Sequence, residues 1–539
     1  MLRLTNIKLP IDHPERALRQ AILDVLNLED DALLGHTVFK RSYDARNRRA
    51  ITLIYSVDID VRDEAAVLAR VANTPLGGGV SVRPSPDMRY RPVAQAKAPP
   101  DKRPVVIGMG PCGLFAALNL AEMGFCPLVL ERGKKVRERT VDTFGLWRKN
   151  TLDPESNAQF GEGGAGTFSD GKLYSRIKDP RHLGRKVLTE FVEAGAPSEI
   201  LHVSKPHIGT FKLVKMVESM RAKIEGLGGE IRFRSRVVDF LIDNGKITGV
   251  ELADGTHIIT DHVVLAVGHS ARDTFEILHR RGVYMEPKPF SLGFRIEHPQ
   301  SLIDRRRFGR FVGHPILGAA DYHLSHHCSN DRTVYSFCMC PGGTVVAATS
   351  EKGRVVTNGM SQYSRSERNA NAGIVVDITP ERDYSDGPLA GIALQRHWES
   401  RAFELGGGTY EAPGQLVGDF LAGRPSTEFG KVLPSYTPGV YLGDLSQALP
   451  DYAIAAIREA IPAFDQQIQG FAMADAVLTG VETRTSSPVW IKRDKEFQSL
   501  GTVGLYPAGE GAGYAGGILS AAVDGLRVSE AVAKSLAEG

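Results

Sequence analysis

The chain has 539 residues, of which 42% are apolar, 7% aromatic and 24% charged. That composition excludes wholesale disorder, collagen and coiled coil, and because single cores stop growing near ~250–300 residues, about two or three domains are expected. Lys and Arg number 65 against 63 Asp and Glu, a net charge of +2, so no overall field selects nucleic acid or an anionic membrane, and neither is expected as a partner.

Residues 1–95 read as a small α+β module. It has an extended LRLTNIKL, a helical periodicity over 16–28, and strand-like TVFKRSY and AITLIYSVDI. Its start lacks a basic stretch followed by an apolar run, and no segment of the chain reaches the ~18 apolar residues of a membrane span. Lys40, Arg41, Arg46, Arg48 and Arg49 form the one notable basic cluster; with Asp44 beside them they are read as a solvated face, contact with RNA or an acidic partner being the alternative. The stretch RPSPDMRYRPVAQAKAPPDKRP combines proline with charge and has no apolar periodicity. It reads as an extended linker, with the boundary at 96–103.

The remainder reads as α/β. Over 104–285 the order is a buried strand (PVVIG), a helix over 111–123, a second strand (PLVLER), and later several strands joined by Asn244-Gly245 and Asp254-Gly255 turns. Residues 286–480 alternate strand-like runs with loops and helices and are the expected substrate domain. Residues 481–539 return to a strand, a glycine loop and a helix.

Two motifs carry chemistry. In Gly108-Met109-Gly110-Pro111-Cys112-Gly113, between strand and helix, Gly108 allows the turn, Gly110 lets backbone approach a pyrophosphate, and Gly113 lets the helix pack on the strand. Pro111 suits the first helical position, and Cys112 is read as a small packing residue. Glu131, ending the next strand beside Arg132, is placed to accept from ribose hydroxyls. The spacing predicts a dinucleotide site. At the other end, a strand runs into Gly509-Glu510, and Gly516, Gly517 and Ile518 open the last helix.

A GxGxxG fold at one end and a strand, Gly-acid pair and helix at the other resemble FAD enzymes related to glutathione reductase. The resemblance implies a Rossmann-like, discontinuous FAD-binding domain (104–285 with 481–539), an inserted α+β substrate domain and the small N-terminal module. It assigns Glu510 to the ribityl chain or pyrophosphate, glutamate standing where aspartate is commoner, Val237 to the adenine, and Gly268 in LAVGHS to a strand end beside the cofactor. QFGEGGAGTFSDGKL (159–173), SFCMCPGGTVV (336–346), VETRTSSPVWIKRD (481–494) and YPAGEGAGYAGGI (506–518) together resemble the bacterial family described as uncharacterised FAD-dependent dehydrogenases, over nearly the whole chain. Noncovalent FAD and an unidentified small-molecule substrate are implied. With only one good GxGxxG, NAD(P)H is expected at most as a transient co-substrate. The alternative is an FAD-containing binding or sensor module that recruits RNA or a protein through its N-terminal domain.

Other groups stay open. Gly164 and its neighbours wrap the cofactor or form a surface loop. Thr483, Arg484, Thr485 and Ser486 contact flavin or substrate, or build a polar network. Alternation on a strand would put Cys338 and Cys340 on one face, where buried structural cysteine is the expectation. The segment from Tyr322 to Cys328 offers soft ligands, with zinc beside Cys338 or Cys340 conceivable, but no spacing matches an established finger and no metal is expected. No constellation names a catalytic acid or base. Five cysteines, odd and sparse, argue against a disulfide framework and for a reducing, cytoplasmic setting.

Overall fold

The computed structural model describes residues 1–73, 76–175 and 177–538. It is a mixed α/β protein with three main sheets. The N-terminal sheet is antiparallel, ordered Leu33–Asp44, Thr52–Val61, Leu2–Pro10, Ser81–Pro84. In Thr52–Val61 every second side chain is buried, the period of a strand with one wet face, and the helix Ala17–Leu26 sets Leu18, Ile22, Leu23 and Leu26 against that buried face. The helix Glu64–Asn73 and the strand Ser81–Pro84 were not legible in the sequence.

The expected linker is extended but docked. Tyr90, Val93, Ala94 and Ala96 pack on the core of the next unit, the Ala96 N–H donates to the Met123 carbonyl at 2.8 Å, and Arg103 donates to Glu230 and the Cys126 carbonyl, both at 2.6 Å. The N-terminal module is also tied sideways. Arg41 exchanges backbone hydrogen bonds with His202 and Ser204, and Tyr43 stands edge-on to Phe308.

The second sheet is parallel and draws from both ends of the chain: Leu505–Pro507, Val263–Leu265, Val105–Ile107, Leu128–Leu130, Glu230–Arg232. Its faces alternate as the pleat requires. Val106, Val129, Val264 and Tyr506 face the helices Pro111–Glu122 and Ile518–Glu538. Val105, Ile107, Leu128 and Leu130 face a meander of Val237–Asp243, Lys246–Leu252 and His257–Ile259. The expected Asn244-Gly245 turn has positive φ at both residues, +47° and +74°, which is why that pair joins two strands so tightly.

The third sheet has seven strands: Ser325–His327, Thr333–Cys340, Asn369–Ile378, Phe290–Pro299, Val477–Glu482, Ala412–Leu416, Val440–Leu442. Helices Ala390–Leu405 and Asp451–Gln467 pack against it. Val477–Glu482 runs across the 480/481 division drawn from the sequence, and Met285–Pro287 pairs with Val489–Ile491 just beyond it. Among the described residues no helix is long and apolar enough to cross a membrane.

Candidate functional site

The strand Val105–Ile107 ends at Gly108, whose φ of +97° lies in the region glycine tolerates. A Cβ there would sit 2.5 Å from the Ala266 carbonyl oxygen, and one on Gly113 would sit 1.9 Å from the Gly108 carbonyl oxygen. The helix Pro111–Glu122 therefore starts hard against the strand. Gly110, extended, occupies its N-cap without any side-chain cap, and Pro111 follows at the first turn. The helix start is left with positive potential and free backbone donors, the features that hold anions.

Glu131 emerges from Leu128–Leu130 and is buried. Its Oε2 accepts from the Met109 N–H at 2.8 Å; its Oε1 accepts from the Gly133 and Gly161 N–H groups at 2.9 and 3.0 Å. The carboxylate thus ties the first glycine loop to the segment 159–166. That segment is not a surface loop, since the Gly163 N–H donates to the Met109 carbonyl and a Cβ on Gly164 would lie 2.7 Å from the Gly110 Cα. Arg132 stacks over Phe160 and is committed to Glu155 and Asp273, so its donors go to carboxylates of this chain.

From the far end, Leu505–Pro507 delivers Gly509 (φ +70°), whose N–H donates to Asp524 at 2.8 Å; Asp524 is clamped by Arg493. Glu510 follows. Burial pushes its carboxyl up to about 7, against the pull of nearby Lys288. A Cβ on Gly516 or Gly517 would meet open space, and the helix Ile518–Glu538 begins there.

These pieces enclose one cleft of about 1860 Å³, its open mouth included. Every residue expected to touch the cofactor lines it except Gly113 and Gly509, which pack behind its wall. Cys112 faces it too, and burial raises its thiol well above the ordinary range, so it fills space as expected. Val237 and Gly268 line the side formed by the meander and by the end of Val263–Leu265.

Raised to about 7 from an unfolded ~4.3, Glu510 stabilises the fold fully only below its unfolded value. That contribution is lost as pH rises through 7. Cofactor-stripped Glu510→Gln should therefore melt higher than wild type at pH 8 and approach it at pH 5, by on the order of 3 kcal/mol at most, since the carboxyl is partly open to the cleft. A melting difference that does not change with pH would remove this assignment.

Of the cleft's second polar centre the sequence offered Thr483 and Arg484 but missed Arg272 and Glu399. Arg272 donates to both Glu399 oxygens at 2.8 and 2.6 Å, and Arg484 donates to the same two oxygens, each at 3.1 Å, and to Ser270 and Ser350. Burial opposes charge on Glu399, yet the two guanidiniums overcome it and hold the carboxyl below the usual range. Arg484 therefore builds a polar network, and with Thr485 it also lines the cleft, so both readings of 483–486 have a place there. Thr483 donates to Glu399, Thr485 pairs with the Ser291 backbone, and Ser486 accepts from Lys288.

The cysteine pair departs from expectation. Cys338 has φ +39° and sits in a register shift between Phe337 and Cys340 against Asn369–Ile378. This bulge breaks the alternation: Cys340 is fully buried whereas Cys338 lines the cleft. Arg295 donates to the Cys338 carbonyl at 2.8 Å, the Cys340 S–H to the same oxygen at 3.4 Å, and Lys172 to the Met339 carbonyl. The Cys340 thiol, Lys172 and Arg295 together hold the Cys338 thiol well below its ordinary value. Neither cysteine joins Cys328 in a metal-ligating cluster among the described residues.

A glycine loop between parallel strand and helix, facing a second glycine turn from the far end of the chain across one cleft, defines a dinucleotide-dependent α/β protein. Residues 289–485 match the family described as FAD-dependent protein, C-terminal domain-like, and residues 1–60 match a domain of unknown function. A protein of Clostridium beijerinckii (strain ATCC 51743 / NCIMB 8052), described as an uncharacterized protein, is 46% identical over 533 residues, 98% of each chain. The chain belongs to the family of that protein, and its residues 289–485 mark it as an FAD-dependent protein. Among solved structures, an L-proline dehydrogenase from P. horikoshii is 14% identical with TM-score 0.34, covering 81% of this chain and 94% of that one. A glycerol-3-phosphate dehydrogenase from Bacillus halodurans complexed with FAD is 13% identical with TM-score 0.35, covering 81% and 65%. At those scores no residue role is carried across.

Proposed function

We propose that the chain holds one noncovalent FAD in this cleft and passes hydride or electrons between its flavin and a small-molecule substrate, with NAD(P)H as a transient visitor. The observation that carries this is the convergence of two glycine motifs, about 400 residues apart in sequence, on a single cleft. On this reading 104–285 and 481–539 form a Rossmann-like cofactor domain, 286–480 the substrate side and 1–95 an accessory module, in a cytosolic protein whose five cysteines are all free. Gly108, Gly110, Gly164 and the start of Pro111–Glu122 take the pyrophosphate. Glu131 takes the ribose, Val237 the adenine, and Glu510, Gly516, Gly517 and Ile518 the ribityl and flavin end. When bound, FAD supplies a two-electron acceptor. The chain's own part is to orient, exclude water and offer proton-exchanging groups; Cys338 and Glu510 are two of several cleft-lining groups with shifted proton affinity, and His269, pushed down to about 3 by burial, is another.

Purified protein should be yellow and release one FAD per chain on denaturation. Glu131→Ala should lose most of that flavin. The loss covers more than ribose contacts, because three buried N–H groups are left without their acceptor, each costing about 1–3 kcal/mol. Colourless protein that takes up no added FAD would end this reading.

Iodoacetamide should alkylate Cys338 with a rate that depends less on pH below ~8.5 than that of an ordinary thiol, since the Cys340 thiol, Lys172 and Arg295 favour its thiolate. Lys172→Met should restore a rate that climbs with pH, and bound FAD should slow labelling. A wild-type rate rising roughly tenfold per pH unit would make Cys338 an ordinary thiol.

A further inference from the structure

At the outer edge of the seven-stranded sheet three donor groups of different chemistry meet. His326 lies in the edge strand Ser325–His327 and Cys328 follows that strand directly; two residues apart in extended chain, they project to the same face. Glu459 reaches them from the helix Asp451–Gln467, which packs on this edge. An imidazole nitrogen, the Cys328 sulfur and a Glu459 carboxylate oxygen all lie within 4.8 Å of one another, a grouping found nowhere else among the described residues. His326 Nε2 stands 3.1 Å from Glu459 Oε1.

We infer that His326, Cys328 and Glu459 bind one zinc-class divalent cation that pins the edge strand to the helix. A sulfur and an imidazole nitrogen beside a carboxylate form a borderline-soft set that suits zinc and disfavours magnesium and calcium. Ligand atoms around a tetrahedral zinc lie about 3.5 Å apart, so the set closes with small side-chain rotations. His326 and Glu459 are partly exposed, 29% and 36%, which leaves water access to a fourth position. The Ser329 N–H and hydroxyl donate to Glu459 at 2.9 and 2.6 Å and fix the carboxylate's direction, as groups behind metal ligands do.

Without a cation the sulfur is a thiol held among protein groups. Its S–H donates to the Ala456 carbonyl at 3.5 Å. On binding, Cys328 gives that proton to solvent, the sulfur lone pair replaces one metal-bound water, and no electron changes hands. The consequence is mechanical. A three-residue edge strand, paired on one side only, gains a second anchor at the place where sheet edges are vulnerable.

Chelator-stripped protein titrated with Zn²⁺ against a chromophoric zinc chelator should take up one zinc per chain, and Mg²⁺ should not substitute. Cys328→Ser and His326→Ala should each weaken uptake roughly tenfold or more, and zinc should raise the melting temperature of wild type but of neither variant. Glu459→Gln, at a partly exposed position, keeps the test decisive where the buried cysteine variant misfolds. Flavin content measured alongside reports folding separately from zinc. Absence of uptake by stripped wild type, or uptake unchanged in all three variants, overturns the proposal.

Discussion

Gly113→Ala should abolish flavin retention and destabilise the fold, while Gly516→Ala should weaken flavin retention alone. The two glycines stand in opposite situations. A methyl on Gly113 would lie 1.9 Å from the Gly108 carbonyl oxygen, and the obstacle is backbone, which cannot swing aside. The helix Pro111–Glu122 must lift off the strand Val105–Ile107, at a cost of about 1–3 kcal/mol for overpacking and more if the sheet shifts. Its N-terminus then no longer aims into the cleft. Gly516 has no neighbour within 4 Å and no positive φ, so its alanine variant keeps the fold and puts a methyl into the cleft wall. Co-purified flavin per chain and the melting temperature of stripped protein separate the two effects. Should both variants keep full flavin, the cleft is not where the nucleotide sits.

The glycine-loop half of the cleft was legible because each of its residues answers a local constraint. Gly108 and Gly113 are dictated by a strand, a tight turn and a helix that are neighbours in sequence, and Glu131 ends the very next strand. Local constraints leave local signatures. Of the second polar centre only the run around Arg484 stood out, since Arg272, Glu399 and Arg484 meet only after the seven-stranded sheet and the helix Ala390–Leu405 have been assembled. The bulge at Cys338 was hidden for a related reason. Strand-like sequence predicts alternation, whereas the register shift is imposed by the partner strand and by Arg295 from a third. Likewise, Pro-rich, charged composition suggested an extended linker with its boundary at 96–103, yet could not say that Arg83 and Pro84 would end a strand or that Tyr90 and Val93 would find apolar ground to lie on. A linker pinned at Ala96 and Arg103 should also be a poor substrate for limited proteolysis.

Glu399→Ala should be among the most damaging single changes outside the glycine loops. The Arg272 and Arg484 side chains are 2% and 4% exposed, and Glu399 is wholly buried between them. Removing the carboxylate leaves two guanidiniums facing each other out of water, with only the more peripheral Glu351 to balance them. Breaking a buried pair in this way costs about 3–5 kcal/mol. Arg137→Ala, which breaks the exposed pair with Glu218, should leave the melting temperature nearly unchanged and serves as the contrast. The pH dependence has a definite sign. A carboxyl held low in the folded state contributes stability above its unfolded ~4.3 and loses it as pH falls through the lower folded value, so the gap between wild type and Glu399→Ala should narrow only on strong acidification. The effect should also reach the flavin. Arg484 donates to Ser270, which donates to Gln159, and all three line the cleft, so a loosened Arg484 frees the wall beyond the strand Val263–Leu265. Lower flavin affinity in Glu399→Ala, with Arg137→Ala unchanged, is the expected pattern. Equal melting temperatures for the two variants would mean that the buried network does not hold this wall in place.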